Sequence, residues 1–102
     1  MSPVVGGVGD SKKATPEVQA IVDSLKHDAS TKLGETAPFS AFEAVSYKTQ
    51  VVAGTNYFVK VRVGPSNEHI HVRVFKPLGN DPKPVLHSCQ SGHTDSSEIV
   101  YF

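Results

Sequence analysis

The chain has 102 residues and a single cysteine, Cys89, so no internal disulfide can form. That usage suits a reducing compartment, and a cytoplasmic location is expected. There is no surplus of charge, because Lys plus Arg and Asp plus Glu each total 10. Nucleic acid and anionic membranes attract a basic excess, so neither is an expected partner. No apolar run approaches the roughly 20 residues that a membrane-spanning helix requires. The opening Met1-Ser2-Pro3-Val4-Val5-Gly6-Gly7 has neither a basic start nor an apolar signal core. No internal repeat or low-complexity tract is visible. What is left is the length of one domain around one core, residues 1–102.

Residues 1–13 read as a flexible segment, with Gly6, Gly7 and Gly9 loosening the backbone and Ser11-Lys12-Lys13 polar. Apolar Val4, Val5 and Val8 are available to a sheet or a partner. A helix follows with strong start signals. Thr15 suits the cap, Pro16 the first helical position and Glu17 the positive end of the helix dipole. Val18, Ile21, Val22, Leu25 and Ala29 form one apolar stripe at helical period, Leu33 extends it, and Gly34 is a natural stop. One helix over residues 16–33 is predicted.

The period then changes to two. Phe42 to Thr49 reads as a strand with blurred alternation, which points to a bulge. Tyr57, Val59, Val61 and Val63 alternate with Asn56, Phe58, Lys60 and Arg62. Ile70, Val72 and Val74 alternate with His69, His71, Arg73 and Phe75, after a turn at Gly64-Pro65-Ser66-Asn67. A breaker-rich turn spans residues 77–84, Val85 to Gln90 is a further strand, and Ser91 to Ser97 is polar loop. Ile99-Val100-Tyr101-Phe102 have high strand propensity. A helix followed by consecutive strands predicts α+β architecture, with one sheet face covering the helix stripe.

Gln50-Val51-Val52-Ala53-Gly54 falls where the first hairpin should turn, yet three of the five residues are apolar. Hairpin tips usually carry Asn, Asp, Gly and Ser, which tolerate the turn and stay wetted. A greasy tip makes physical sense if a partner covers it, with Gly54 supplying the freedom to turn. From pattern alone, the competing reading makes Val51 and Val52 ordinary strand residues before a turn at Ala53-Gly54-Thr55-Asn56.

Gln50-Val51-Val52-Ala53-Gly54 followed by Thr55-Asn56-Tyr57-Phe58 resembles the first-hairpin motif of the cystatins. The wider stretch Ala44 to Val61, the segment His71-Val72-Arg73-Val74-Phe75-Lys76, the terminal Tyr101-Phe102 and the placement of Gly6-Gly7 upstream of Ala14-Thr15-Pro16-Glu17 are similar to stefins. Stefins are the cystatins without signal peptide or disulfides. The resemblance implies one long α-helix gripped by a curved antiparallel sheet of four to five strands. It implies a reversible, non-covalent inhibitor of papain-like cysteine proteases such as lysosomal cathepsins, and neither an enzyme nor a cofactor protein. It also implies a wedge of three parts: Val4, Val5, Gly6 and Gly7; the first hairpin, Gln50, Val51, Val52, Ala53 and Gly54; and the second hairpin at Leu78 and Gly79. On this reading, truncation before Val8 speeds dissociation. A monomer is expected, with a strand-exchanged dimer through the first hairpin under heat or acid stress. The second hairpin departs from the family, because Leu78 is followed by Gly79 where proline is usual and Pro77 precedes it. That departure sustains the alternative of a non-inhibitory interaction module on the same scaffold.

His69 with His71, and His87 with Cys89, are each two apart on strands and raise the question of a zinc site. The spacing matches no finger motif, and solvent-facing strand histidines are the commoner arrangement, so no metal is expected. Cys89 with His87 or His93 raises the question of a nucleophile and base. No orienting partner or oxyanion signature accompanies them.

Overall fold

A computed structural model describes residues 10–34, 39–79, 83–100 and 102. Its elements run β1 (Lys12–Lys13), α1 (Pro16–Asp23), α2 (Lys26–Lys32), β2 (Glu43–Val52), β3 (Gly54–Arg62), β4 (His69–Lys76) and β5 (Val85–His93). The strands form one antiparallel sheet in sequence order, β1-β2-β3-β4-β5. The α+β expectation holds. Among the described residues, no helix is long and apolar enough to cross a membrane.

The helix begins as its caps dictate. The Thr15 hydroxyl accepts from the Val18 amide at 3.2 Å, and Pro16 opens the first turn. The single long helix is corrected to two short ones. The Ser24 hydroxyl donates to the Ile21 carbonyl at 2.7 Å, and the Leu25 amide bonds Val22, three residues back. Leu25 sits at φ −115°, ψ 9°, outside the helical well. A serine hydroxyl that competes for a backbone carbonyl disturbs helices in this way. The break lets α1 lie by β2 and α2 by β5.

The apolar stripe survives the break. Val18, Ile21, Val22, Leu25 and Ala29 pack on Val59, Val61, Ile70, Val72 and Val74, all buried. Each fully covered Val, Leu or Ile there contributes roughly 1.5–3 kcal/mol. Gln19 fastens α1 to the start of β2, donating to the Phe42 carbonyl at 2.9 Å and accepting from the Ala44 amide at 2.8 Å. The blurred alternation of β2 is a bulge between Ala44 and Ser46.

Three further details differ from the sequence reading. Lys12 and Lys13, the end of the segment expected to be loose, pair with Tyr47 and Ser46 as the fifth strand. β5 continues through Ser91 and Gly92 to His93, where a register irregularity and Gly92 at φ 78° absorb an extra residue. Glu98 to Val100 form no strand. Residues 95–99 and Phe102 instead contact the sheet face opposite the helices. Ile99 is buried, Phe102 stacks edge-on to Phe58, and the Arg73 guanidinium donates to the Phe102 carbonyl at 2.6 Å. Lys60 donates to the Asp95 carbonyl, and Lys48 faces Glu98 at 3.9 Å. Phe58, Lys60, His69 and His71 are therefore buried rather than solvent-facing.

Candidate functional site

β2 and β3 are paired up to their ends, with Val51 opposite Thr55 and Val52 opposite Gly54, so Ala53 alone rounds the tip. Val51 and Val52 are strand residues, as the competing reading had it, but its turn at Ala53-Gly54-Thr55-Asn56 is corrected, since Gly54, Thr55 and Asn56 belong to β3. The valines are exposed, as the tip reading required. Val51 is 69% exposed and Val52 44%. Alternation along β2 sends the two valines to opposite sides of the ribbon, so the tip is an apolar ridge with two flanks.

The residues below the ridge are not exposed. Gln50 and Asn56 face each other across the ladder, each only 6% exposed, and the Asn56 amide nitrogen donates to Gln50 Oε1 at 2.8 Å. Gly54 has φ 123°, and a Cβ there would lie 2.6 Å from the Lys76 carbonyl oxygen and 2.9 Å from the Phe75 ring. Only glycine fits both the backbone angle and the space. Gly54 thus lets β4 close against the hairpin as well as letting the chain turn.

The second hairpin sits beside the first, because Thr55 pairs with Lys76 and the chain leaves β4 through Pro77 to Leu78. Leu78 is 77% exposed, and Gly79, at φ 131°, has no atom within 4 Å of where a Cβ would stand. Gly54, Thr55, Tyr57, Lys76, Pro77, Leu78 and Gly79 line a cleft of about 450 Å³ between the two tips. The β1–β2 register sets the N-terminal end of β1 toward the Val52 end of β2. Val4, Val5, Gly6 and Gly7 lie outside the described residues. Of the predicted site, Val51, Val52, Ala53, Gly54, Leu78 and Gly79 gather at one end of the sheet, and Gln50 lies beneath them.

Asn56 and Phe75 were missed as members of this site. Both lie in the stretches that resemble the family, but the sequence reads Asn56 as a strand or turn residue and Phe75 as an alternating strand residue, neither with a role at the tip. The signal for Asn56 was an amide opposite another amide, visible once the tip is centred on Ala53. Tyr57 carries a raised phenol pKa, from burial first and then from the charge of Glu17.

His71 pairs with Gln90 and Val72 with Cys89, so His71 and Cys89 face opposite sides of the sheet. Among the described residues, no group of three or more His, Cys, Asp or Glu is arranged to hold a metal. Cys89 packs against the core, and burial pushes its thiol up to about 11, which leaves it protonated and unreactive at neutral pH. His71 lies against His93 instead, with ring centroids 3.7 Å apart.

Comparison with known proteins bears on the same residues. The cystatin domain model matches residues 6–92. The chain is 45% identical over 100 residues to cystatin-A of Homo sapiens, covering 97% of this chain and 99% of that protein. It is 42% identical to stefin-C of Bos taurus over 101 residues, 98% of this chain and 97% of the relative. It is 39% identical to leukocyte cysteine proteinase inhibitor 1 of Sus scrofa over 100 residues, 97% and 94% of the two chains.

Proposed function

Because the chain belongs to the cystatin family, and within it to the stefins, we propose that it is a reversible, tight-binding, non-covalent inhibitor of papain-like cysteine proteases, lysosomal cathepsins among them. The family is one of inhibitors, not enzymes, and one relative carries cysteine proteinase inhibition in its name. The observation that carries the reading is the exposed pair Val51 and Val52 on a hairpin whose base is buried and hydrogen-bonded. A ridge held at both strands loses little freedom on binding, so the apolar area it buries becomes affinity.

The mechanism is occlusion. The Val51-Val52-Ala53 ridge and Leu78 enter the protease cleft on one side, and the segment Val4 to Gly7 enters on the other. The glycines of that segment let the backbone pass close to the enzyme. No peptide bond is presented to the catalytic cysteine, so the inhibitor leaves intact. The one cysteine, Cys89, suits a reducing compartment, and the cytoplasm is the proposed setting.

Residual papain activity, titrated with increasing amounts of the chain, tests this. Activity should fall to zero near equal amounts of the two proteins and return on dilution, with the chain uncleaved. Full activity at a large excess of chain would overturn the proposal.

A further inference from the structure

We infer that Gln50 is a positioning residue, which with Asn56 sets the geometry of the Val51–Ala53 ridge rather than touching the protease. The inference rests on the inhibitory reading above and assigns the roles within that site. Gln50 is the one member of the predicted hairpin contact set whose side chain is withdrawn from solvent before any partner arrives, at 6% exposure, equal to that of Asn56. Its Oε1 is engaged by Asn56 at 2.8 Å, directly across β2 and β3. A side chain so placed has little surface left to offer a cleft. It does have leverage, since two ladder steps separate this pair from the tip at Ala53.

The bridge works with a second support. The Phe75 ring and the Lys76 carbonyl occupy the space where a Gly54 side chain would stand. Phe75 pairs with Asn56 across the β3–β4 ladder, so the amide pair and the ring form one row through β2, β3 and β4 beneath the tip. Removing one amide leaves its buried partner without its bond. The tip then samples other placements, and only the fraction held in the bound form can dock.

The test is a rate-resolved double-mutant cycle against papain. It compares the wild-type chain, Gln50→Ala, Asn56→Ala, the double variant, and the exchanged pair Gln50→Asn with Asn56→Gln. A positioning role predicts that either alanine slows association about fivefold to tenfold with little change in dissociation. The double variant should be no worse than the poorer single one, and the exchanged pair should recover most of the loss. A contact role predicts faster dissociation for Gln50→Ala, no effect of Asn56→Ala and simple addition, and that pattern would overturn the inference. Unchanged rates in both single variants would overturn it as well.

Hydrogen exchange on the free chains gives an arm independent of any protease. Amides of residues 51–55 should exchange faster in Gln50→Ala than in wild type, while the Val59 and Val61 amides keep their protection. Unchanged exchange at the tip would overturn the inference even where inhibition is intact. A wild-type chain that leaves papain fully active defeats the functional reading instead, while a faster-exchanging tip in Gln50→Ala would still support the amide bridge.

Discussion

Replacing Val51 and Val52 with alanine is expected to weaken protease binding and leave the fold untouched. Each change removes two methyl groups, about 1.6 kcal/mol of transfer free energy at about 0.8 per carbon. Only the share still exposed in the free chain is gained on binding. With 69% of Val51 and 44% of Val52 exposed, that leaves about 1.1 and 0.7 kcal/mol. The single variants should therefore bind about sixfold and threefold more weakly, and the double variant about twentyfold. The loss belongs in the dissociation rate, because encounter does not depend on the last methyl groups seated. Folding stability should fall only by the remainder already covered in the free chain, about 0.5 kcal/mol at Val51 and about 0.9 kcal/mol at Val52. Val61→Ala, at a position with no exposed area, is the internal contrast and should lower stability by about 2 kcal/mol. Progress curves with papain give the rates, and urea unfolding gives the stabilities. A double variant that dissociates at the wild-type rate would refute the claim that the ridge is the contact. A loss of about 2 kcal/mol in either single variant, as large as that of Val61→Ala, would show the ridge valines to be part of the core.

Gly54→Ala should cost about 2–3 kcal/mol in urea unfolding, since the new methyl meets the Lys76 carbonyl and the Phe75 ring at φ 123°. Gly79→Ala, at φ 131° in open space, should cost only about 1 kcal/mol, and equal losses would contradict the steric account. Burial, and then the charges of His93, Lys60 and His69, hold His71 down at about 4, against the ordinary 6.5. The unfolded chain therefore takes up a proton that the folded chain refuses, and stability should fall as pH drops from about 6.5 to about 4 and stay level above that. The full drop from this one ring is about 3 kcal/mol. Urea midpoints across that range should flatten in His71→Phe, and an unaltered profile would reject the assignment. Deleting residues 98–102 removes buried Ile99 and the Phe102 ring on Phe58, and should lower stability by about 3 kcal/mol. An unchanged urea midpoint would mean that the covering segment adds nothing.

The elements written most plainly in the sequence are those whose cause is local. Thr15-Pro16-Glu17 fixed the helix start because capping involves only neighbouring residues. The two-residue period of Tyr57 to Val63 fixed which side of β3 meets the helices. The helix break was not legible, because the stripe continues in register through Leu25 and Ser24 is an ordinary helix-surface residue until its hydroxyl turns inward. Burial of Phe58, Lys60 and His71 was hidden for another reason. It depends on His93 at the end of β5, on Asp95 and on Phe102 coming over the outer face, long-range placements that no period within a strand encodes. In the site, the exposed valines were legible because apolar residues at a turn violate a local rule. Gln50 was assigned to the contact surface with its neighbours, and only the cross-strand partner Asn56 reveals that its amide points into the structure.

The central claim is that the ridge at one end of the sheet meets the protease while the helices and β5 stay clear. Amide chemical-shift mapping of the chain bound to papain with its catalytic cysteine blocked tests this residue by residue. Large shifts at Val51, Val52, Ala53, Gly54, Leu78 and Gly79, with Val18 to Lys32 and Val85 to His93 near their free values, are predicted. Shifts concentrated on α1, α2 or β5, with the ridge unmoved, would contradict it.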